Sequence, residues 1–456
     1  MKQKYDAAII GCGPAGYRAA LKLKEHDKNI CIVELDKKEI GGTCLNRGCI
    51  PVKSFLESAE VYNTCKKAAE FGIETGPLNI NKNEVKNSAF KNVAQLKKGL
   101  EFILNKSDIC AVFGKAQFVS DREIEVIKIN NEKLNIQADN FIIATGSKPR
   151  EIPGIETDGK YILNTRQIID SPLDGSNILI VGGGYIGCEL SSFYRIMGKD
   201  VTIVELSPNL MPFEGDIVSK TLLKQLKKQG VKIITESKLV KADKINNGVK
   251  CEIYSKNNEE PIFNIYDRII LAVGRVPNTS ELNLDRCGIE TEKGFIKTNS
   301  NLQTNIENIY AAGDVLNTPM LAHVALKEGE TAAQSILGNN PPEINYLSIP
   351  RIIFSHPQIG CTGMTIEQAR QKGIEINTIK KQFTANSKAV ISHSNKGFFN
   401  LMYDKNTGTI VGGTVVGPYA CELVHVLCIA VNKGIKINEM NNFIFGHPTL
   451  SEIFDI

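Results

Sequence analysis

Short, mostly apolar runs, each closed by a glycine cluster, set the rhythm of the chain. YDAAII, residues 5–10, reads as a buried strand; GCGPAG follows, and YRAALKLKEH then carries apolar residues at helical spacing. NICIVE reads as a second strand ending at Glu34. The unit recurs as NILIVGGGYIGCEL followed by VTIVE. Gly182, Gly184, Gly187 and Glu205 each lie 171 residues after Gly11, Gly13, Gly16 and Glu34. Each copy closes on another strand-like run, FIIATG ending at Gly146 and IILAVG ending at Gly274, and these landmarks are only 128 apart. The first copy is therefore 43 residues longer, consistent with an insertion that holds GGTCLNRGCIPVK and the Lys-rich helical stretches after it.

Strand, glycine turn and helix in that order predict an α/β fold with two Rossmann-like dinucleotide-binding domains. Gly11 makes the tight turn, Gly13 lets a pyrophosphate approach the backbone, and Gly16 lets helix pack on strand. The helix N-terminus then offers free N–H groups and positive dipole to the phosphates. Glu34, 18 residues beyond Gly16, is placed to accept from a ribose diol. In the second copy Glu205 stands where a 2′-phosphate would lie, and no Lys or Arg occurs between Glu205 and Lys220 to neutralise one. NAD rather than NADP is expected there. GNNPPEINYLSIP, residues 338–350, is a polar break. After it, PRIIFSHPQIGCTGMT, KGFFNLMY and IVGGTVVG predict an antiparallel sheet with helices on it, a C-terminal α+β dimerisation domain.

The inserted stretch carries Cys44 and Cys49 beside Lys53. In a regular helix two Cα atoms five residues apart sit about 8–9 Å apart. A disulfide needs about 4.4–6.8 Å. Gly48 weakens the turn, and Pro51 cannot donate to the Arg47 carbonyl. A distorted first helical turn is expected to bring the sulfurs together as a redox centre. NIENIYAAGD, ending at Asp314, reads locally as a strand followed by an Asp-containing turn.

Composition narrows the classes. Apolar content of 42% and charged content of 23% suit a globular chain, and a net charge of +4 over 456 residues gives no reason to expect nucleic acid or an anionic membrane as partner. No apolar run reaches the roughly 18 residues of a span, and the N-terminus enters a strand pattern at once, so neither a membrane segment nor a signal peptide is expected. No lipoyl-type domain is expected ahead of the first strand. Twelve scattered cysteines point to a reducing, cytoplasmic compartment, where a disulfide is catalytic rather than structural. Cys12 and Cys188 read as small fillers, Cys421 and Cys428 as one packed helix face, and none of the ten cysteines besides Cys44 and Cys49 is expected to be a redox partner. No second close pair has zinc-ligand spacing, so no metal is expected.

Together GxGxxG, GGTCLNRGC, ATG, the second GxGxxG with Glu205, AVGR, YAAGD and HPTLSE resemble the pyridine nucleotide–disulfide oxidoreductases, in order and across nearly the whole chain. GGTCLNRGCIP, PMLAH and HPTLSE most resemble the branch that oxidises dihydrolipoyl groups. The resemblance implies FAD in the first unit and Asp314 at its ribityl–phosphate region, hence a discontinuous FAD domain. Its parts are 1–148 and 276–343, with an NAD domain at 149–275 and the dimerisation domain at 344–456. The resemblance also assigns Cys44 as interchange thiol, Cys49 as flavin-facing thiol, Lys53 as the lysine at the flavin edge and Glu189 as its acidic partner near the nicotinamide. Gly42, Thr43, Ala116, Gly146 and Ala322 join the flavin contacts, and Gly274 the nicotinamide side. A homodimer is implied, in which the C-terminal domain completes the partner's active site. Val52 and Arg47 depart from the family pattern, and Arg47 is expected to lower a nearby thiol pKa.

HPTLSE carries its own chemistry. Disulfide exchange needs thiolate, and a free thiol with a pKa of about 8.5 is mostly protonated at neutral pH. Histidine is suited to take that proton, and Glu452, five residues after His447, is placed to orient the ring as the acid of a triad does. His323 is expected to be structural, and His26, His356, His393 and His425, which have no acid or thiol motif attached, are expected to be structural or solvated. The expected activity is oxidation of protein-bound dihydrolipoyl groups through Cys44–Cys49 and FAD to NAD⁺. The partner is a lipoyl-bearing protein, either a 2-oxoacid dehydrogenase acyltransferase or a glycine cleavage H protein. The alternatives are an NAD(P)H-dependent reductase of a small disulfide such as glutathione, and a non-catalytic flavoprotein component of a complex.

Overall fold

The first apolar run folds as β1 (Gln3–Ile10), and the chain continues through α1 (Pro14–Lys24), β2 (Ile30–Glu34), α2 (Gly42–Arg47) and α3 (Cys49–Lys66). Then follow α4 (Lys82–Lys106), β3 (Cys110–Phe113), β4 (Lys115–Ser120), β5 (Glu123–Ile127) and β6 (Lys133–Ile143). The structure is a computed structural model and describes residues 3–256 and 258–456. Two compact units are built from alternating segments. One combines Met1–Ser54, Lys86–Arg150 and Arg275–Ile344; the other combines Phe55–Val85, Glu151–Gly274 and Asn345–Ile456.

In the first unit β3, β2, β1 and β6 run parallel in that order, strand Ile309–Ala311 adds to β6 in parallel, and β5 and β4 continue the sheet antiparallel. Strands covered on both faces must be apolar throughout, and Ala7 to Ile10, Ile30 to Val33 and Phe141 to Ile143 are all buried. α1 starts at Pro14, a residue preorganised for a first helical position, with Gly13 as its cap. Helix Ala322–Ile336 crosses α1 at backbone contact: a Cβ on Gly329 would stand 2.1 Å from the Ala15 carbonyl oxygen.

The second unit repeats the pattern. Strands Lys232–Ile234, Asp200–Val204, Asn177–Val181, Arg268–Leu271 and Ile162–Asn164 form a parallel sheet in that order. The Gly11 N–H donates to Val33 O at 2.7 Å and Ala144 N–H to Ile10 O at 2.8 Å; the counterparts are Gly182 to Val204 at 2.8 Å and Ala272 to Val181 at 2.7 Å. The repeat read from the sequence is thus a repeat of hydrogen bonds. The same unit holds an antiparallel sheet of Arg351–Ile353, Gln358–Gly363, Ile410–Gly417, Phe398–Asp404 and Ile376–Gln382. Helix Ala420–Lys433 lies on it, burying Cys421 and Cys428 on one face as the spacing predicts. Gly360 and Gly413 let it sit close, because a Cβ on either would meet Val424 or Leu427 within 3 Å.

This C-terminal sheet and the second nucleotide fold belong to one unit for physical reasons. Arg351 Nε donates to the buried Glu214 carboxylate at 2.8 Å, Phe354 N–H to Glu189 at 3.1 Å and His356 N–H to Ser192 Oγ at 3.1 Å. Each is a long-range bond that a reading of local pattern does not contain.

Replacing Gly329 by Ala drives a methyl into the Ala15 carbonyl. The variant is expected to lose about 1–3 kcal/mol, the usual cost of overpacking, seen as a lower melting temperature of the FAD-loaded protein.

Candidate functional site

Gly41 and Gly42 open α2 with φ of +90° and +70°, a left-handed conformation that glycine adopts without strain. The Gly41 N–H donates to Cys12 O at 2.9 Å, and the Gly42 Cα packs so close to Gly13 that a Cβ on Gly42 would come within 2.7 Å. The segment carrying the two cysteines is therefore fastened by its backbone to the first glycine turn. Asn46 Nδ2 reinforces the entry, donating to Ile40 O and Gly42 O at 2.9 Å each.

The link between the cysteines differs from a distorted turn of one helix. α2 stops at Arg47, Gly48 adopts φ −132° and ψ −112°, and α3 begins at Cys49. A Cβ at Gly48 would lie 2.9 Å from Thr43 O and 3.2 Å from the Cys44 Cα, so the break folds the chain back onto the turn that carries Cys44. Pro51, without an N–H, cannot carry the α2 hydrogen-bond ladder through Arg47; the ladder resumes with Val52 N–H to Gly48 O at 3.2 Å. Both cysteines are present as half-buried thiols. Their sulfurs are in hydrogen-bond contact, and this contact, with burial, raises the Cys44 thiol well above its ordinary range while Lys53 draws it down.

Arg47 does not supply the expected activating charge. Its guanidinium donates to Glu39 at 2.6 Å, and a paired charge of this kind has little field left for a thiol.

The first nucleotide cradle fits a dinucleotide. A Cβ on Gly11 would stand 2.3 Å from Ala144 O, and one on Gly16 would stand 1.9 Å from Gly11 O, so both positions are closed to any side chain. Gly13 is different: its Cβ would meet nothing of the protein nearer than 3.8 Å, and the open space lies at the N-terminus of α1. Protein packing closes the first and third glycines, whereas the middle one faces open room where phosphate would lie. Glu34 is held by Cys12 N–H and Leu35 N–H at 2.7 Å each. Burial raises its carboxyl pKa, and these two donors oppose the shift. Gly114 N–H donates to Glu34 O at 2.9 Å, which brings the start of β4 to this end of the sheet, where Ala116 is buried in register with Val126. Asp314 follows Gly313 and accepts from Ser147 Oγ, with Arg275 Nε 3.8 Å from the carboxylate and Thr145 and Gly146 next in chain. Thr43, Lys53 and Ala322 lie on α2, on α3 and at the first turn of helix Ala322–Ile336.

The second cradle repeats this. Gly182 and Gly187 are closed by Ala272 O at 2.3 Å and Gly182 O at 2.0 Å, while a Cβ on Gly184 would meet nothing within 4 Å. Glu205 is held by Gly183 N–H at 2.5 Å and Ser207 N–H at 2.7 Å. Among the described residues no Lys or Arg forms an ion pair with it. Gly274, φ +101°, has open space around it, and Glu189 is buried.

His447 is exposed, and its Nδ1 lies 2.7 Å from Glu452 Oε1; the other Glu452 oxygen accepts from Thr449 N–H at 2.8 Å. Thr449 and Glu452 form a reciprocal capping box on the short helix Leu450–Phe454, so the acid is fixed before it touches the ring. Asn386, itself buried, anchors the Thr449 carbonyl at 3.0 Å. His323 is exposed. Two histidines with no acid motif beside them in the sequence meet an acid in the fold: His356 Nδ1 lies 3.0 Å from Glu60, and His393 lies 4.0 Å from Glu70. Their partners are hundreds of residues away in sequence, beyond any local motif. Among the described residues no cluster of three or more His, Cys, Asp or Glu is arranged to hold a metal, and no helix is long and apolar enough to cross a membrane.

Residues 5–329 match the pyridine nucleotide-disulphide oxidoreductase model, and residues 349–455 match the dimerisation domain of the same name. The chain belongs to the pyridine nucleotide-disulphide oxidoreductase family. FAD and NAD are the family's cofactors, and the dimerisation domain supports a homodimer. The chain is 35% identical to the dihydrolipoyl dehydrogenase of Bacillus subtilis over 98% of its own length and 96% of that protein. The Chlorobaculum tepidum protein of the same name is 36% identical over 98% and 95%. Among solved structures, LpdA from Mycobacterium tuberculosis superposes with a TM-score of 0.92 at 25% identity, covering 99% and 98% of the two chains. The HOCl-induced flavoprotein disulfide reductase RclA from Escherichia coli gives 0.86 at 25%, with the same coverage.

Two outcomes follow. Titrating thiolate absorbance in the reduced protein should give the same curve for wild type and Arg47→Val, because Glu39 already holds the guanidinium. Glu452 lies below the ordinary carboxylate range, through His447 first and Thr449 second. A depressed carboxyl stabilises its arrangement above its unfolded pKa of about 4.3 and loses that contribution as pH falls through the lower folded value. The Glu452 carboxyl resonance should therefore titrate in that acid window, and should move up toward about 4.3 in His447→Gln.

Proposed function

We propose that this chain oxidises protein-bound dihydrolipoyl groups to the lipoyl disulfide and passes the electrons through Cys44 and Cys49 to FAD and then to NAD⁺. The observation that carries this reading is the dithiol fastened, by Gly41 to Cys12 and Gly42 to Gly13, to the glycine turn of a dinucleotide cradle. Curated relatives named dihydrolipoyl dehydrogenase, matched over nearly the full length of both chains, support the same substrate class.

His447, oriented by Glu452, takes a proton from a substrate thiol. The resulting thiolate attacks Cys44 of the disulfide form, and Cys49 leaves as thiolate. The second substrate thiol then attacks the mixed disulfide, releasing the cyclic lipoyl disulfide and Cys44 as a thiol hydrogen-bonded toward Cys49. The chain holds FAD through Gly11, Gly13, Gly16, Glu34 and Asp314, and when bound the flavin supplies two-electron transfer between sulfur and nicotinamide. Lys53 keeps positive charge beside the sulfur pair. Gly182, Gly184, Gly187 and Glu205 hold NAD⁺, with the Glu205 carboxylate opposing a 2′-phosphate. In the homodimer His447 serves the sulfur pair of the partner subunit. The lipoyl-bearing partner is a 2-oxoacid dehydrogenase acyltransferase or a glycine cleavage H protein.

The likeness to RclA supports a second reading, reduction of a disulfide substrate by a nicotinamide. Comparing NADH with NADPH, and lipoamide with glutathione disulfide, separates the two, with preference for NADH and lipoamide expected. Cys44→Ser or Cys49→Ser should abolish dihydrolipoamide turnover while the protein still purifies yellow with flavin; retained turnover refutes the roles. His447→Gln should lower the dihydrolipoamide rate by about 10²–10⁴-fold, the usual contribution of a positioned base.

A further inference from the structure

A second pair of thiols meets in the first unit, far in sequence from Cys44 and Cys49. Cys31 on β2 and Cys110 at the start of β3 stand directly opposite each other on adjacent parallel strands. Neighbouring strands lie about 4.7–4.9 Å apart. That falls within the Cα separation of about 4.4–6.8 Å that a disulfide spans. The Cys31 thiol hydrogen-bonds to the Cys110 sulfur, and the Tyr5 hydroxyl donates to that same sulfur at 3.2 Å.

The two sulfurs are not equivalent. Cys31 is fully buried, whereas Cys110 is only half-buried on the edge strand of the sheet. Two donors converge on Cys110, and hydrogen bonds to an ionised acceptor are roughly twice as strong as those to a neutral one. Cys31 foremost, and Tyr5 with it, hold Cys110 below the ordinary thiol range against the opposing effects of burial and Asp108. A cysteine that merely fills space behaves the other way: burial alone pushes Cys251 up to about 12. An accessible thiolate with a buried thiol against it is the arrangement of an attacking and a resolving cysteine.

We propose that Cys31 and Cys110 are a second redox pair of this protein, with Cys110 as the attacking and Cys31 as the resolving sulfur, and a peroxide as the oxidant. The Cys110 thiolate attacks one peroxide oxygen; an S–O bond forms as the O–O bond breaks. The sulfur loses two electrons, and the departing hydroxide or alkoxide takes a proton to give water or alcohol. The Cys31 sulfur then attacks Cys110, forming S–S as S–O breaks, and the Cys31 proton leaves with the hydroxide as water. The product ties β2 to β3 across the edge of the sheet. This inference is independent of the proposed substrate, because it uses neither Cys44 nor His447.

The test is hydrogen peroxide treatment of the full-length FAD-loaded protein, followed by alkylation of remaining thiols and peptide mapping without reduction. The expected result is a peptide pair linked through Cys31 and Cys110. Recovery of both as separately alkylated thiols, at a dose that converts Cys44 and Cys49 to their disulfide, overturns the proposal. So does Cys110 carried to sulfinic acid with Cys31 unlinked. Tyr5→Phe removes one donor and keeps the ring, and should slow formation of the linked pair several-fold at neutral pH; an unchanged rate overturns the activation of Cys110. In Cys31→Ala the sulfenic acid should persist on Cys110 and be captured by dimedone, and its absence contradicts the assigned order.

Discussion

Cys44 and Cys49 meet because the chain breaks between them. A continuous helix would hold their Cα atoms about 8–9 Å apart. Gly48 ends one helix and turns back against Thr43 and Cys44, and Cys49 starts the next. Any side chain at Gly48 would push against the backbone of Thr43 and Cys44. Contact with Cys49 and burial raise the Cys44 thiol, while Lys53 draws it down. The distinct roles proposed for the two sulfurs descend from this one break.

The break would be idle without its attachment to the first dinucleotide turn. The family's duplicated fold uses the same three devices twice: a glycine closed against the end of a neighbouring strand, an open glycine at a helix N-terminus, and a glutamate clamped by two backbone N–H groups. Clamping costs those carboxylates part of their hydrogen-bonding capacity, yet each oxygen retains a lone pair for a ribose hydroxyl. The insertion in the first copy adds the sulfur pair to a cradle that otherwise matches the second. His447 belongs to a third structure, a capping box that fixes Glu452 by the backbone before it meets the ring.

Much of this was legible in the sequence because it is local or periodic. The offset of 171 residues between glycine motifs marks the repeat, and each glycine's role follows from what a Cβ would strike. HPTLSE pairs its histidine and acid within five residues, short enough to be read directly. What stayed hidden depends on strands and helices brought together from afar. Arg47 meets Glu39 rather than a thiol, His356 meets Glu60, and Cys31 meets Cys110 only through sheet register. The union of the C-terminal sheet with the second nucleotide fold likewise rests on tertiary bonds such as Arg351 to Glu214. Periodicity fixes which face of an element is buried, and says nothing about which distant element covers it.

The central claim is that electrons enter from a dithiol substrate at Cys44 and Cys49. Its most direct test is anaerobic addition of dihydrolipoamide to the oxidised, FAD-loaded protein without NAD⁺, with alkylation of thiols before and after. The account predicts that Cys44 and Cys49 change from protected to labelled; protection unchanged at both, with the substrate left reduced, would contradict it.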